Sequence, residues 1–251
     1  MATVTTEAIV LRRTPFRETS QIAHFMTRDR GRLSLILKGV HRPRDRKGGG
    51  VDLLDRCRVR YTTRRSRALP PLSERRVLCH HARMRRREDL LRAGQVLVEW
   101  VLALVPEGAV ARGVYELGAA YLEALDAAPP PRTVPAAIFA LQGGMLRMSG
   151  FEPVLDRCVQ CHREPDGHNH LLRCDLSRGG VVCGRCREGD GGTFPISQTA
   201  AVVVRKMAWV DPRRLTEVVL PEPIERDVRR FHHNTFAHLV ERPPRTATAS
   251  S

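Results

Sequence analysis

The sequence predicts an α+β fold: a small N-terminal β-barrel followed by an α-helical domain with an embedded zinc-binding segment. Three observations carry this. The hydrophobic period changes from two residues to a helical repeat near Arg83, five of the seven cysteines fall between positions 158 and 186, and nearly all of the +15 net charge lies in the first third of the chain. The expected boundaries are 1–80 for the barrel and 81–251 for the helical domain, with the zinc segment at about 150–192. With 251 residues, 42% of them hydrophobic, the chain buries roughly 70–75% of its unfolded surface and needs no disulfide staples. That excludes a disordered basic tail.

The barrel strands come first. Thr6–Arg12 is rich in β-formers. Arg32–Lys38 alternates with Leu33, Leu35 and Leu37 on one face, and Arg58–Thr62 alternates with Val59 and Tyr61 inward and Arg58 and Arg60 outward. Gly31, Gly39 and Gly48–Gly50 mark turns. From Arg83 onward Leu90, Leu91, Leu97, Val98, Val101, Leu102 and Val105 predict a helix ending at Pro106-Glu107-Gly108. Val114, Leu117, Gly118, Tyr121, Leu122 and Leu125 predict a second, and Ile138, Leu141, Met145 and Leu146 a third, in which Gly143 and Gly144 allow close packing. Thr199–Trp209 and Pro223–Val240 read as the last two helices, followed by a frayed tail from Arg242.

A membrane span is not expected. About 20 mostly apolar residues are required, and the stretch from Thr133 to Leu146 is broken by Pro135, Gly143 and Gly144. The N-terminal residues show no basic region followed by an apolar core, so a cytoplasmic location is expected.

Cys158-x-x-Cys161 and Cys183-x-x-Cys186 are two knuckles separated by 21 residues. Each turn presents two thiolates, and two turns complete a tetrahedral four-cysteine site for one zinc ion. Four thiolates close the coordination shell, so the expected role is structural rather than catalytic. Cys174, His162, His168 and His170 stand as substitute ligands, against the plainer reading of loop residues with Cys174 in a strand core. Cys57 and Cys79 read as small buried hydrophobes.

Residues 1–90 hold 23 Lys and Arg against 9 Asp and Glu, and the rest of the chain 19 against 18. Such asymmetry points to a polyanion held by the N-terminal domain. The candidate DNA-binding residues are Arg12, Arg13 and Arg17 around one turn, and Lys38, Arg42, Arg44, Arg46 and Lys47 in a glycine-ended loop. A solvated loop is the bland alternative. Arg83, Arg85, Arg86 and Arg87 read equally as a linker or a binding segment. The first 90 residues contain only Phe16, Phe25 and Tyr61 as aromatics, too few for a stacking platform. Affinity should therefore come from phosphate charge, with steep salt dependence, and duplex DNA should bind as well as single strands.

No phosphate-binding loop, HExxH or deaminase signature is present, and the N-terminal carboxylates are scattered. A non-enzymatic protein is expected. Two other classes remain open: a zinc-containing RNA-binding or ribosome-associated protein, and a metal-dependent nuclease.

These residues together resemble the RecO family of bacterial recombination mediators. The match runs through Glu7-Ala8-Ile9-Val10-Leu11, Arg17-Glu18-Thr19-Ser20, Thr27–Arg32 and Leu37–Arg42. It continues at Leu104–Gly108, Gly150–Cys158 and Gly179–Cys183. The resemblance implies that the barrel is of the OB type and that the protein is nucleoid-associated. It also implies annealing of complementary strands without ATP, and work with RecR to load RecA onto DNA covered by single-strand binding protein. The acidic C-terminal tail of that protein would be contacted through the helical region. The chain departs from the family pattern at Gly48–Gly50 and in the charged Arg64–Arg67 segment.

Overall fold

A computed structural model describes residues 2–40, 50–63, 69–164, 171–186 and 192–241. Strands β1 (Ala2–Phe16), β2 (Ser20–Thr27), β3 (Gly31–Leu37), β4 (Arg56–Thr63) and β5 (Leu72–Cys79) form one antiparallel sheet in the order β3-β2-β1-β4-β5. Its edges meet where Ile36 bridges Pro71 in parallel and the Ile36 N–H donates to the Pro70 carbonyl at 3.0 Å. The sheet thus curls into an OB-like barrel whose seam is one bridge rather than a full ladder.

Alternation holds on β4, where Cys57, Val59 and Tyr61 are buried and Arg58 and Arg60 are exposed. On β1 it fails: Ala8, Ile9, Val10 and Leu11 are all buried. Ala8 and Val10 enter the barrel core with Phe25, Leu35 and Val59, whereas Ile9 and Leu11 turn outward into the core of the helical body. A strand covered on both faces reads as a continuous apolar run, so the sequence located this strand but not the two cores that share it.

The helical body contains α1 (Glu88–Leu104), α2 (Arg112–Asp126) and α3 (Val134–Met148). A three-stranded antiparallel sheet follows, with β6 (Leu171–Asp175) between β7 (Gly180–Val182) and β8 (Thr193–Ser197), and then α4 (Gln198–Met207) and α5 (Glu222–Glu241). One expectation on α1 is corrected. Leu102 is 38% exposed, and Trp100 and Leu104 are buried in its place, because one residue is a 100° step that carries Leu102 off the stripe of Leu97, Val101 and Leu104. On α3, a Cβ on Gly143 would lie 2.9 Å from the Ala208 backbone and one on Gly144 2.7 Å from Leu117, which is the close packing those residues predict. Among the described residues no helix is long and apolar enough to cross a membrane.

Barrel and helical body are joined by ion pairs. Asp55 is 1% exposed and accepts from Arg85 Nη2 at 2.9 Å and from the Asp52 N–H at 2.8 Å. Arg56 and Arg213 both bind Glu123, at 2.6 and 3.1 Å. Within the helical body, Arg87 pairs with Asp89 and donates to the Pro129 carbonyl. Two arginines of the 83–87 segment are therefore structural ties rather than free cations.

His232 on α5 lies wholly inside, between Phe139, Trp100 and Phe231 at centroid distances of 5.7, 6.2 and 5.4 Å. Neither ring nitrogen has a partner among the described residues. Burial pushes its pKa down from 6.5 to about 3. The fold accepts only the neutral ring, so this contribution to stability is complete above pH 6.5 and is lost as the pH falls toward 3. In His232→Leu the unfolding midpoint should fall less steeply between pH 6.5 and 4 than in the wild type, by calorimetry. Parallel curves would show that this ring does not drive the acid transition.

Candidate nucleic-acid face and metal centre

The first candidate site is one rim of the barrel. The ladder of β1 with β2 slips between Val10 and Arg12, and beyond this irregularity Arg12 and Arg13 are both exposed. The strand ends at Phe16, opposite Ser20, and Gln21 of β2 lies opposite Leu37 of β3. Register therefore brings Arg17, in the β1–β2 turn, to the same rim as Lys38, which follows β3. Arg17 adopts a left-handed φ of 56° and sets its guanidinium 5.2 Å from the Phe16 ring. Arg12 and Arg13 also line a cleft of about 420 Å³ against α1, with Leu11, Leu53 and Val98. Arg13 pairs with Asp52 at 2.5 Å, a contact exposed enough to be worth little.

Arg42, Arg44, Arg46 and Lys47 lie outside the described residues. The ends of their loop do not. Val40 and Val51 are buried in the barrel core, and Gly50 packs beside the Gln21 side chain. The loop thus leaves and rejoins the barrel near the rim that carries Arg17 and Lys38. Phe25 and Tyr61 are core residues, which leaves Phe16 as the accessible aromatic among the described residues of the barrel strands. The sequence reading missed Arg76, which sits directly opposite Arg58 on the outer wall of β4 and β5. Like charges opposite one another are destabilising, and the outward alternation of Arg58 and Arg60 was half of that signal.

The second site is built by a cross-connection. Val154 is bridged in parallel to Gly180, and its N–H donates to the Gly179 carbonyl at 2.9 Å while its carbonyl accepts from the Val181 N–H at 2.8 Å. A Cβ on Gly180 would strike the Val154 carbonyl. This seam lays the segment bearing Cys158 and Cys161 along β7, which leads into Cys183 and Cys186. The four sulfurs all lie within 4.8 Å of one another, and Cys161 Sγ is 3.7 Å from Cys183 Sγ. A tetrahedron with Zn–S bonds of 2.3 Å has edges of about 3.8 Å, so this spacing fits zinc.

The electrostatics agree. Burial raises the Cys158 thiol, but N–H groups of Cys161, Cys183 and Gln160 outweigh it and hold the pKa down to about 6. The neighbouring sulfurs of Cys183 and Cys161 push Cys186 up to about 12. Thiolates this close repel one another, and a cation among them would relieve that repulsion. A bound zinc would supply that charge, held by Cys158, Cys161, Cys183 and Cys186 in a closed shell with no place for a reacting water.

Cys174 is not a substitute ligand. It is buried on β6 within the core, where burial and Asp175 push its pKa up to about 12. His162 takes no part in the sulfur cluster, and His168 and His170 lie outside the described residues. Cys57 is buried as expected, whereas Cys79 is only partly so and faces His81.

A third feature was invisible in the sequence. An open cleft of about 740 Å³ runs between residues 152–157 and α4, where the cations Arg157, Arg205 and Lys206 and the carboxylates Glu152 and Asp156 surround Val202 and Trp209. Trp209 is 66% exposed, with Arg147 stacked 4.2 Å from its ring centroid.

Comparison with known proteins covers both halves of the chain. Residues 1–78 match the family model for the Recombination protein O N terminal and residues 87–248 that for the Recombination protein O C terminal. The chain is 28% identical to DNA repair protein RecO of Desulforudis audaxviator over 241 residues, 96% of this chain and 93% of the relative. It is 28% identical to that of Rhodopirellula baltica over 201 residues, 80% of this chain and 73% of the relative. For that of Anaeromyxobacter dehalogenans the identity is 30% over 198 residues, 78% of this chain and 76% of the relative.

Proposed function

The chain belongs to the RecO family of recombination and DNA-repair proteins, and from this we propose that it is a non-enzymatic recombination mediator of the RecF pathway. It holds single- and double-stranded DNA on the basic rim of the barrel, anneals complementary strands without ATP, and acts with RecR to load RecA onto DNA coated by single-strand binding protein. The observation that supports this most is that register brings Arg17 and Lys38 to one rim, at the root of a loop with four further cations, with Arg12 and Arg13 exposed farther along β1. Phosphate neutralisation needs such cations and little else. Two strands bound this way lose much of their mutual repulsion and can pair.

The zinc centre braces the segment between α3 and β8, and α4 packs on that segment. The cleft beside α4 combines Arg157, Arg205 and Lys206 with Val202 and Trp209. Arg205 pairs with Asp156 at 3.4 Å and Trp209 Nε1 donates to Glu152 at 3.2 Å, so an acidic peptide would take over these two contacts from the protein's own carboxylates. We assign it to the acidic tail of single-strand binding protein. Arg205→Glu combined with Lys206→Glu should weaken binding of that tail peptide at least about 10-fold in fluorescence anisotropy while leaving binding of bare DNA unchanged. Equal peptide affinity would place the tail elsewhere.

The function is tested by annealing complementary strands precoated with the cognate single-strand binding protein, without ATP. Faster annealing that weakens with added salt is the expected result. No acceleration by folded, zinc-loaded protein would overturn the mediator reading, and stronger competition by structured RNA than by single-stranded DNA would favour an RNA-binding role.

A further inference from the structure

We propose that the protein carries a second metal site, for zinc or a similar borderline divalent ion, formed by Cys79, His81 and Asp126. It shares no ligand with the four-cysteine centre. Cys79 is the last residue of β5, His81 lies in the connection that follows, and Asp126 is the last residue of α2. An ion there would staple the final barrel strand to the helical body.

The ligand atoms of the three residues all lie within 4.8 Å of one another. Cys79 Sγ is 3.5 Å from His81 Nδ1. An ion with a 2.3 Å bond to sulfur and a bond of about 2.05 Å to nitrogen places those ligands about 3.5 Å apart at tetrahedral angles. The supporting hydrogen bonds are those of a metal site. The His81 N–H donates to Cys79 Sγ at 3.4 Å, as the Cys183 N–H does to Cys158 Sγ at 3.4 Å in the four-cysteine centre. The Asp126 Oδ1 accepts from the N–H groups of Arg83 and Met84 at 2.9 and 3.0 Å, which fixes the carboxylate and leaves its other oxygen to the ion.

The imidazole is the independent observation. His81 is 1% exposed, Nε2 has no partner among the described residues, and Nδ1 faces a thiol, a weak hydrogen-bond partner. At Nδ1, coordination would replace the weak thiol contact with a strong one and so offset part of the cost of burying the ring; Nε2 keeps its proton and gains nothing from the ion. A thiolate and a carboxylate balance the double charge of the ion. The sulfur and nitrogen donors select a zinc-like ion over magnesium or calcium, with a water in the remaining position.

Metal analysis of the full chain after saturation with zinc and removal of loosely held ion should find about two zinc ions per chain, falling to about one in Cys79→Ser and in Asp126→Asn. Asp126→Asn keeps a side-chain oxygen for the Arg83 and Met84 N–H groups, so it tests coordination even if Cys79→Ser folds poorly. In Asp126→Asn the remaining ion should be the one lost on adding Cys158→Ser and Cys183→Ser. Cobalt bound to the Cys158→Ser and Cys183→Ser chain should show tetrahedral d–d bands with a sulfur-to-cobalt charge-transfer band that Asp126→Asn weakens. One zinc per wild-type chain, unchanged in Asp126→Asn, or no cobalt spectrum in the folded double-serine chain, would overturn the proposal.

Discussion

Replacing Arg12, Arg17 and Lys38 together by Gln should lower affinity for single-stranded DNA on the order of 100-fold at about 0.1 M salt, and should reduce the slope of log affinity against log salt by about 2. Each lost phosphate contact removes about 0.7 from the slope, and the affinity change follows from the same counterion release. The three side chains are exposed, so the unfolding transition should move little. Filter binding or anisotropy across a salt series reads both quantities. An unchanged slope would move the DNA face to the wall of Arg58 and Arg76 or to the loop, where charge reversal at Arg42, Arg44 and Arg46 is the companion test. Arg17→Gly separates binding from folding. It relieves a left-handed backbone, φ 56°, worth about 1 kcal/mol. It also removes an exposed cation–π contact of about 0.5–1 kcal/mol. Stability should stay near that of the wild type while affinity drops roughly 5-fold at about 0.1 M salt.

Cys158→Ser with Cys183→Ser should release the zinc of the four-cysteine centre and cause the largest loss of stability among these variants. Structural zinc in finger-type sites is worth about 10–16 kcal/mol of apparent binding free energy at neutral pH. Here the seam at Val154 and Gly180 and the core around Cys174 retain part of the local structure, so only part of that energy appears as lost stability. The expected signature is early hydrogen exchange across residues 153–186 with most helical circular dichroism retained. In the wild type the same opening should follow acidification. The Cys158 thiol, ordinarily near 9, is held down to about 6, so its thiolate favours the folded state fully above pH 9 and progressively less as the pH falls through 6. Zinc binding extends the thiolate form to lower pH, and protons displace the ion below about pH 6. Normal metal content and stability in the double variant would retire the four-cysteine assignment.

Local pattern was enough for much of this protein. The helical repeat placed α1 to α5 within a few residues, because each helix buries one face and polar residues mark the other. The knuckle spacing named the four cysteines whose sulfurs the fold brings together, since a CxxC turn is preorganised within four residues. Charge counting placed the excess of cations in the first third of the chain, because fixed charge is additive along a chain.

What depends on distant segments was decided only in three dimensions. Ile9 and Leu11 serve a different core from Ala8 and Val10 because the helical body covers the outer face of β1. Arg85 and Arg87 are consumed by Asp55, Asp89 and the Pro129 carbonyl, so a run of cations legible in sequence is not a run of free cations. Arg17 and Lys38 share a rim through strand register, and the two knuckles meet through the bridge of Val154 to Gly180. Cys79, His81 and Asp126 converge only where β5 and α2 end side by side. Sequence spacing encodes contacts within a turn or a strand. Contacts between elements depend on which faces are left to bury once each element has formed, and that is settled by packing.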